Sequence, residues 1–240
     1  MAINFRSNTI IKNLRVGPLS GGSNGGESVS LVTSGLIGHW DMGDINSYPG
    51  SGTTVTDLTG NGHNATMTNT TVGGSGTGVY VSAGEVQTAY TYNPFGIASP
   101  SATFSISYWF QDLGTIGYAE LGGFRSALFF KIDSYRTADR LRFRMPSINS
   151  EFDVTNFYTT HGTNWFNATA TANNGDWSFY INGSLEGTLT DTGGNTGNDS
   201  LYLRANQINF NWAQTALYNR ALTASEVLQN YNALKSRYGY

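Results

Sequence analysis

The chain has 240 residues, of which only 12% are charged, and its formal net charge is -3. So few Lys and Arg side chains argue against general electrostatic binding to nucleic acid, and the lack of cysteine excludes disulfides and thiolate chemistry. No stretch approaches the roughly 18 apolar residues of a membrane span and the N-terminus lacks the apolar core of a signal peptide, so we predict neither membrane insertion nor Sec export.

The first 34 residues differ in composition from the rest of the chain. Apolar side chains lie ahead of a Gly/Ser-rich linker, Pro18 to Ser28, whose composition favours a flexible coil. Because the linker separates these side chains from the remainder, we predict that residues 1–34 form an anchoring arm held by a partner protein; its own domain is the alternative. The side chains expected to contact the partner are Ile3, Phe5, Ile10, Ile11 and Leu14.

Residues 35–240 are predicted to form one all-β domain. The segment Ala102 to Gln111 alternates Phe, Ile, Tyr and Phe with Thr, Ser, Ser and Trp, and this period of two is typical of a strand with one buried face. Asn182-Gly183 separates two apolar runs, which predicts a type I′ hairpin. Further strands are predicted over LIGHW (36–40), ALFFKI (127–132), RLRFRM (140–145), SLYLRA (200–205) and NFNWAQTALYN (209–219).

One helix is predicted, close to the C-terminus. Thr223 and Glu226 have the spacing of a capping box, in which each side chain bonds the other residue's backbone N–H. Helical spacing then relates the apolar residues Val227, Leu228, Tyr231, Leu234 and Tyr238. Many strands with one closing helix predict an antiparallel sandwich.

Five segments occur in an order and spacing that resemble a laminin-G-like domain: GLIGHWDMGD, TDLTGNGHNATMTN, FSISYWFQ, WSFYINGSLEG and ALYNRALTASEVLQNYN. The likeness covers Gly35 to Tyr240. It implies an all-β, concanavalin A-like jelly-roll sandwich of two antiparallel sheets with a short C-terminal helix, preceded here by the extended N-terminal arm.

Single-domain chains with such an arm and linker resemble virion structural proteins of tailed bacteriophages. This resemblance implies a non-enzymatic capsid decoration or tail appendage protein, made in a host cytoplasm, located in the virion and docked on other virion proteins through the arm. Self-association into a homo-oligomer is a further expectation. The alternative function is a lectin-like carbohydrate-binding module that attaches to cell-surface glycan.

Two interpretations stay open for the glycine-rich loop Thr56 to Thr66. It is either a turn, in which Asp57 hydrogen-bonds its own backbone, or a structural calcium site with oxygen ligands from Asp57, Asp41 and Asp44. Calcium is common in domains of the resembled kind, yet here uncharged residues 211–214 replace the expected acidic pair. No other cofactor is required. A dinucleotide site is excluded because no helical period follows the glycines.

Catalytic residues are not predicted. Glu151, Asp153 and Asn156 follow the E-x-D-x-x-E pattern of related glucanases except that Asn156 stands where the second Glu belongs. A glycosidase needs two carboxylates across the scissile bond. The three His are scattered along the chain, so we predict a protein that is not an enzyme.

The sequence around Arg140, Arg142 and Arg144 predicts a strand that carries all three guanidinium groups on one face. This face is either solvated and partly neutralised by Asp133 and Asp139, or a contact for an acidic partner or anionic glycan. Large aromatic rings are predicted to lie in the core, and an exposed pair would indicate sugar stacking; the rings in question are Trp165, Trp177 and Trp212.

Overall fold

The structure is a computed structural model that describes residues 29–89, 103–114, 117–124, 130–145, 150–192, 200–205 and 210–240. Within these ranges the chain forms 14 strands. In chain order they are β1 (Leu36–Asp41), β2 (Thr54–Val55), β3 (Ala65–Gly73), β4 (Tyr80–Thr88), β5 (Phe104–Asp112), β6 (Ala119–Phe124), β7 (Lys131–Tyr135), β8 (Arg140–Arg144), β9 (Glu151–Thr155), β10 (Trp165–Asn173), β11 (Asp176–Ile181), β12 (Ser184–Thr190), β13 (Leu201–Arg204) and β14 (Phe210–Tyr218). The α-helices are α1 (Phe157–His161) and α2 (Ala224–Leu234), and 3-10 helices cover Gly76–Gly78, Arg136–Ala138 and Lys235–Tyr238.

Antiparallel pairing joins the strands in one continuous order, which we divide into the two sheets of the sandwich at β14, where the single pair Trp212 and Val81 links the halves. The first sheet has the order β12-β11-β10-β5-β14, with β1 beside β14, and the second has the order β4-β13-β6-β7-β8-β9, with β3 and β2 beyond β4. One edge of β14 pairs with β5 along its length, while the other edge pairs with β4 at Trp212 and with β1 from Gln214 onward. The predicted all-β jelly-roll sandwich with a C-terminal helix is confirmed.

An aromatic core fills the space between the sheets. The apolar residues at alternate positions of β5 point into it and are fully buried. The intervening residues of β5 are buried as well, so the prediction of a single buried face is wrong because the outer side of this strand is also covered. Across the sandwich, the ring of Phe179 on β11 lies 4.9 Å from Phe143 on β8 and 4.7 Å from Phe152 on β9. Burial of each such side chain stabilises the fold by about 1.5–3 kcal/mol. Trp177 and Trp212 are buried as predicted, and Trp165 is half-buried.

Helix α2 covers the outer side of the first sheet. Trp109, on the outward side of β5, is fully buried because its ring stacks on Tyr238 at 4.2 Å and on Tyr231 at 5.7 Å between centroids. The predicted capping box of Thr223 and Glu226 is present. The outward side of β5 at Trp109 is therefore covered by the C-terminal residues.

Residues just before β1 also pack on this helix. The backbone N–H of Val32 donates to Asn230 at 2.8 Å, the Tyr218 hydroxyl donates to the Val32 carbonyl at 3.1 Å, and Gln229 donates to the Ser30 carbonyl. These contacts move the start of the folded domain upstream of the predicted boundary between residues 34 and 35, to at least Ser30. The predicted partner-binding residues of the arm lie outside the described residues: Ile3, Phe5, Ile10, Ile11 and Leu14.

Candidate functional site

The outward side of strands β6 to β9 is a polar surface that carries charges of both signs. Antiparallel register places Glu120, Asp133, Arg142 and Asp153 opposite one another in one row across the four strands. A second row runs through Lys131, Arg144 and Glu151. We call this surface the arginine face, defined by Tyr118, Glu120, Lys131, Asp133, Tyr135, Arg140, Arg142, Arg144, Glu151 and Asp153.

Alternation along β8 explains why the three predicted arginines share this face. Leu141 and Phe143, at the intervening positions, are fully buried in the core, so Arg140, Arg142 and Arg144 must point to the opposite side. The structure thus brings together the residues that the sequence predicts to lie on one strand face. The carboxylates that face them come from three other strands and were only partly predicted.

Asp153 and Glu151 hold two of the arginines. Arg142 donates from Nε to Asp153 at 2.7 Å and from Nη2 at 3.0 Å, and it also contacts Glu151. Arg140 donates to Asp153 at 3.0 Å. Burial raises the pKa of Asp153, but its hydrogen bonds to Arg142 and the charges of both arginines outweigh burial and lower that pKa overall. The two carboxylates of the glucanase-like pattern are therefore ion-pair partners.

The third arginine has a different partner. Arg144 Nη2 lies 2.9 Å from Asp133, whose side chain is 0% exposed, and 3.9 Å from Glu120. Glu120 is bound more closely by Lys131, at 2.8 Å. Burial raises the pKa of Asp133 to about 6 even though Arg144 acts in the opposite direction. Asp133 is thus a weaker acid than Asp153, whose pKa is lowered.

Two tyrosines complete this surface. The ring centroids of Tyr118 and Tyr135 are 5.0 Å apart and their planes are tilted by 56°. The guanidinium carbons of Arg140 and Arg142 lie 4.8 Å and 4.7 Å from the Tyr135 centroid, in cation-π geometry. Tyr118 remains 41% exposed. It is therefore the exposed aromatic ring of the face, a role that no sequence pattern predicted.

The predicted neutralising role of Asp139 is wrong. Its carboxylate accepts hydrogen bonds from the backbone N–H groups of Tyr158 and Thr159, at 2.6 Å and 3.0 Å, where α1 begins. Asp139 adopts a left-handed conformation with φ of 50°, which turns the chain between the preceding 3-10 helix and β8. Asp133, by contrast, does neutralise Arg144.

The glycine-rich loop forms a turn around Asp57. This carboxylate accepts hydrogen bonds from the backbone N–H groups of His39 and Thr59, both at 3.0 Å, and of His63 at 3.2 Å. Gly60 and Gly62 have φ values of 80° and 82°, which favour glycine. The loop thus anchors β1 through the side chain of Asp57.

The other predicted calcium ligands are also engaged. Asp41 binds Arg237 Nη1 through both oxygens, at 2.7 Å and 2.6 Å, and Asp44 accepts from the backbone N–H of Asn46. In the described part of the chain, no three acidic or His side chains are grouped as metal ligands. Since calcium prefers six to eight oxygens, these residues do not fit the ion, and the calcium site stays a prediction without structural support.

A shallow groove of about 480 Å³ lies away from the arginine face. The loop after β1, the Gly76–Gly78 helix and Arg237 line it, and Ile45 protrudes beside it. The guanidinium group of Arg237 is already bound by Asp41. None of the helices in the described ranges is long and apolar enough to span a membrane.

A family model described as the concanavalin A-like lectin/glucanases superfamily matches residues 83–228, which is more than half of the chain. This range includes every strand of the arginine face. A search of the curated proteins finds no match.

Solved structures with a similar fold include binding domains of botulinum neurotoxins. A structure of the type C neurotoxin superposes with a TM-score of 0.66 at 16% identity, covering 83% of this chain and 51% of that chain. The type DC binding domain in complex with SialylT gives 0.64 at 20% identity, and the same domain in complex with rat synaptotagmin II gives 0.61 at 20% identity; both cover 83% of this chain and 52% of theirs. The chain therefore spans about half the length of these structures, and at these identities the likeness is one of fold.

Proposed function

The chain belongs to the concanavalin A-like lectin/glucanase superfamily, and from that premise we propose that it is a carbohydrate-binding module that holds a saccharide on the arginine face. One observation carries this proposal: the exposed ring of Tyr118 lies beside arginines and carboxylates that ion pairs hold in place.

The chemistry of the face suits a sugar ring. A pyranose has an apolar face of C–H groups, which can stack on Tyr118, and a rim of hydroxyl groups that both donate and accept hydrogen bonds. Carboxylates accept and guanidinium groups donate, so Glu151 and Arg144 offer both kinds of partner. Because the ion pairs already order these side chains, binding costs less conformational entropy than it would on a surface of free charges.

The structural neighbours support this proposal through what they bind. The type C neurotoxin depends upon interaction with two ganglioside molecules to enter cells, and the DC binding domain forms a complex with SialylT. The same DC domain also binds synaptotagmin II, a protein. Those ligands belong to chains about twice as long as the matched part, so the sugar class and the site on this chain are taken from its own residues.

The proposed function is binding without catalysis. Glu151 and Asp153 are the carboxylates that come nearest to a glucanase pattern, and both are ion-paired with Arg142. Asn156, at the position of the second Glu, lies in a turn before α1 with φ of 56°. A general acid needs a raised pKa, and the pKa of Asp153 is lowered.

A role in a phage virion stays a prediction. It rests on the N-terminal arm, whose apolar residues lie outside the described part of the chain, and on the resemblance to tailed-bacteriophage proteins. The two functions are compatible, because a module displayed in many copies binds even a weak glycan ligand with high avidity.

A glycan array with multivalent display of the protein tests the proposal. The wild type should bind a subset of glycans, and Tyr118→Ala should weaken that binding about fivefold, since an aromatic contact contributes about 1 kcal/mol. Leu228→Ala, which removes an exposed apolar side chain from α2 on the opposite sheet, serves as the matched control and should bind as the wild type does. Equal binding by Tyr118→Ala and wild type would refute the arginine face as the site.

A further inference from the structure

We infer that the arginine face selects acidic saccharides: Arg144 receives the carboxylate or sulfate group of the ligand, and Asp133 is the residue that controls this selectivity. The inference rests on the proposed function and specifies its ligand class. It follows from a difference in how the three arginines of β8 are paired.

Arg140 and Arg142 are not free to change partners. Both donate to Asp153, at 3.0 Å and 2.7 Å, and Arg142 also contacts Glu151. The lowered pKa of Asp153 and the raised pKa of Arg142 show that this pairing favours both charged forms. A ligand carboxylate would have to displace the carboxylate of Asp153, which binds Arg142 in bidentate geometry.

Arg144 has a partner that is easier to replace. Asp133 lies fully buried beneath Arg144. Ionisation of its carboxyl group is unfavourable because it places a negative charge where water cannot solvate it. The alternative partner, Glu120, is 3.9 Å away and is closer to Lys131. The Arg144 side chain is 29% exposed, so a ligand can approach the guanidinium group from solvent.

The surroundings of Asp133 set its charge. Arg144 and Arg142 face it from β8 and Lys131 lies on its own strand β7, and all three favour the ionised form. Glu120 on β6 disfavours that form, and burial disfavours it most, so that the pKa is raised to about 6. Below that pH the carboxyl group is neutral, and Arg144 then carries a positive charge without its counterion.

An acidic sugar that stacks on Tyr118 can act as the counterion of Arg144. Burial raises the pKa of Tyr118 to about 12, the charge of Asp133 raises it further, and the charge of Arg144 acts in the opposite direction, so Tyr118 lies within reach of both charges. A sugar ring placed on Tyr118 can direct its anionic substituent toward the guanidinium group. The ligand's anion then replaces Asp133 as the counterion of Arg144, in a position open to water.

Binding of 3′-sialyllactose and of lactose by isothermal titration calorimetry tests this inference. The sialic acid carboxylate stays ionised between about pH 5 and about pH 7.5, whereas Asp133 changes charge. If only protein with neutral Asp133 binds the acidic sugar, its Kd rises by up to about 30-fold over that range. Lactose binding should not change with pH.

Variants separate the contribution of Asp133 from general electrostatics. Asp133→Asn should bind sialyllactose at every pH as tightly as the wild type does near pH 5. Arg144→Gln should bind both sugars alike and without pH dependence. Asp176→Asn removes an exposed carboxylate from β11 in the other sheet, and it should keep the wild-type profile.

The outcomes distinguish the inference from the function on which it rests. The inference is overturned if both sugars bind with no dependence on pH, or if Asp133→Asn keeps the dependence of Kd on pH that the wild type shows. Either result leaves glycan binding intact. If neither sugar binds at any pH, both the inference and the proposed function are overturned for this ligand class. Thermal unfolding of each variant checks that it is folded. If Asp133→Asn does not fold, Arg144→Gln tests the inference in its place.

Discussion

Replacing Asp133 by Asn should change how stability depends on pH. The pKa of Asp133 is raised from 3.8 to about 6 in the folded protein, so its contribution to stability is complete below the unfolded pKa and is lost as pH rises through the folded one. Between about pH 4.5 and about pH 7.5 this loss amounts to about 2 kcal/mol. Asn carries no titrating proton, so Asp133→Asn should not show it.

Urea unfolding at the two pH values measures this effect. The free energy of unfolding of the wild type, minus that of Asp133→Asn, should fall by about 2 kcal/mol from the lower to the higher pH. The constant cost of leaving Arg144 without its counterion cancels in this comparison. Asp153→Asn is the opposite control, because the pKa of Asp153 is lowered and its contribution grows with pH. A difference for Asp133→Asn that stays constant with pH would refute the buried, weakly acidic carboxyl group.

Three further predictions concern the scaffold. Thr223→Ala removes the N-cap of α2 and should lower the free energy of unfolding by about 1 kcal/mol in urea titrations; an unchanged value would mean that the cap contributes nothing. Trp109→Ala removes the ring through which β5 packs on the C-terminal residues. The free energy of unfolding should fall by about 3–5 kcal/mol, measured as a lower Tm; a small loss would contradict the packing of α2. Asp57→Ala leaves three backbone N–H groups without their acceptor and should cost about 1–3 kcal/mol, while calcium added to chelator-treated wild type should leave its Tm unchanged; a calcium-dependent rise would restore the metal site.

Local sequence patterns predicted much of the fold. The alternation in β5, the Asn182-Gly183 turn and the capping box of α2 depend on residues close together in the chain. The structure confirms the strand, the turn and the cap: Asn182 and Gly183 have φ values of 52° and 79°, as a type I′ turn needs, whereas β5 is buried on both faces and not on one. The same kind of pattern placed the three arginines of β8 on one face.

The rest of the arginine face depends on register between strands, which no local pattern reveals. Glu120 and Asp153 face the arginines only because β6 to β9 pair in one particular alignment. Similarly, no local pattern predicted the ion pair between Asp41 and Arg237, which lie 196 positions apart in sequence. Asp139 was assigned to the wrong role because the start of α1, which it caps, was not predicted.

The location of the bound sugar is the most direct test of the proposed function. Backbone amide chemical shifts, followed by NMR while 3′-sialyllactose is added at about pH 5, report which residues the sugar contacts. We predict that the shifts concentrate in β6 to β9 and include Tyr118 and Arg144. Shifts confined to the groove beside Ile45, or their absence throughout the chain, would contradict glycan binding on the arginine face.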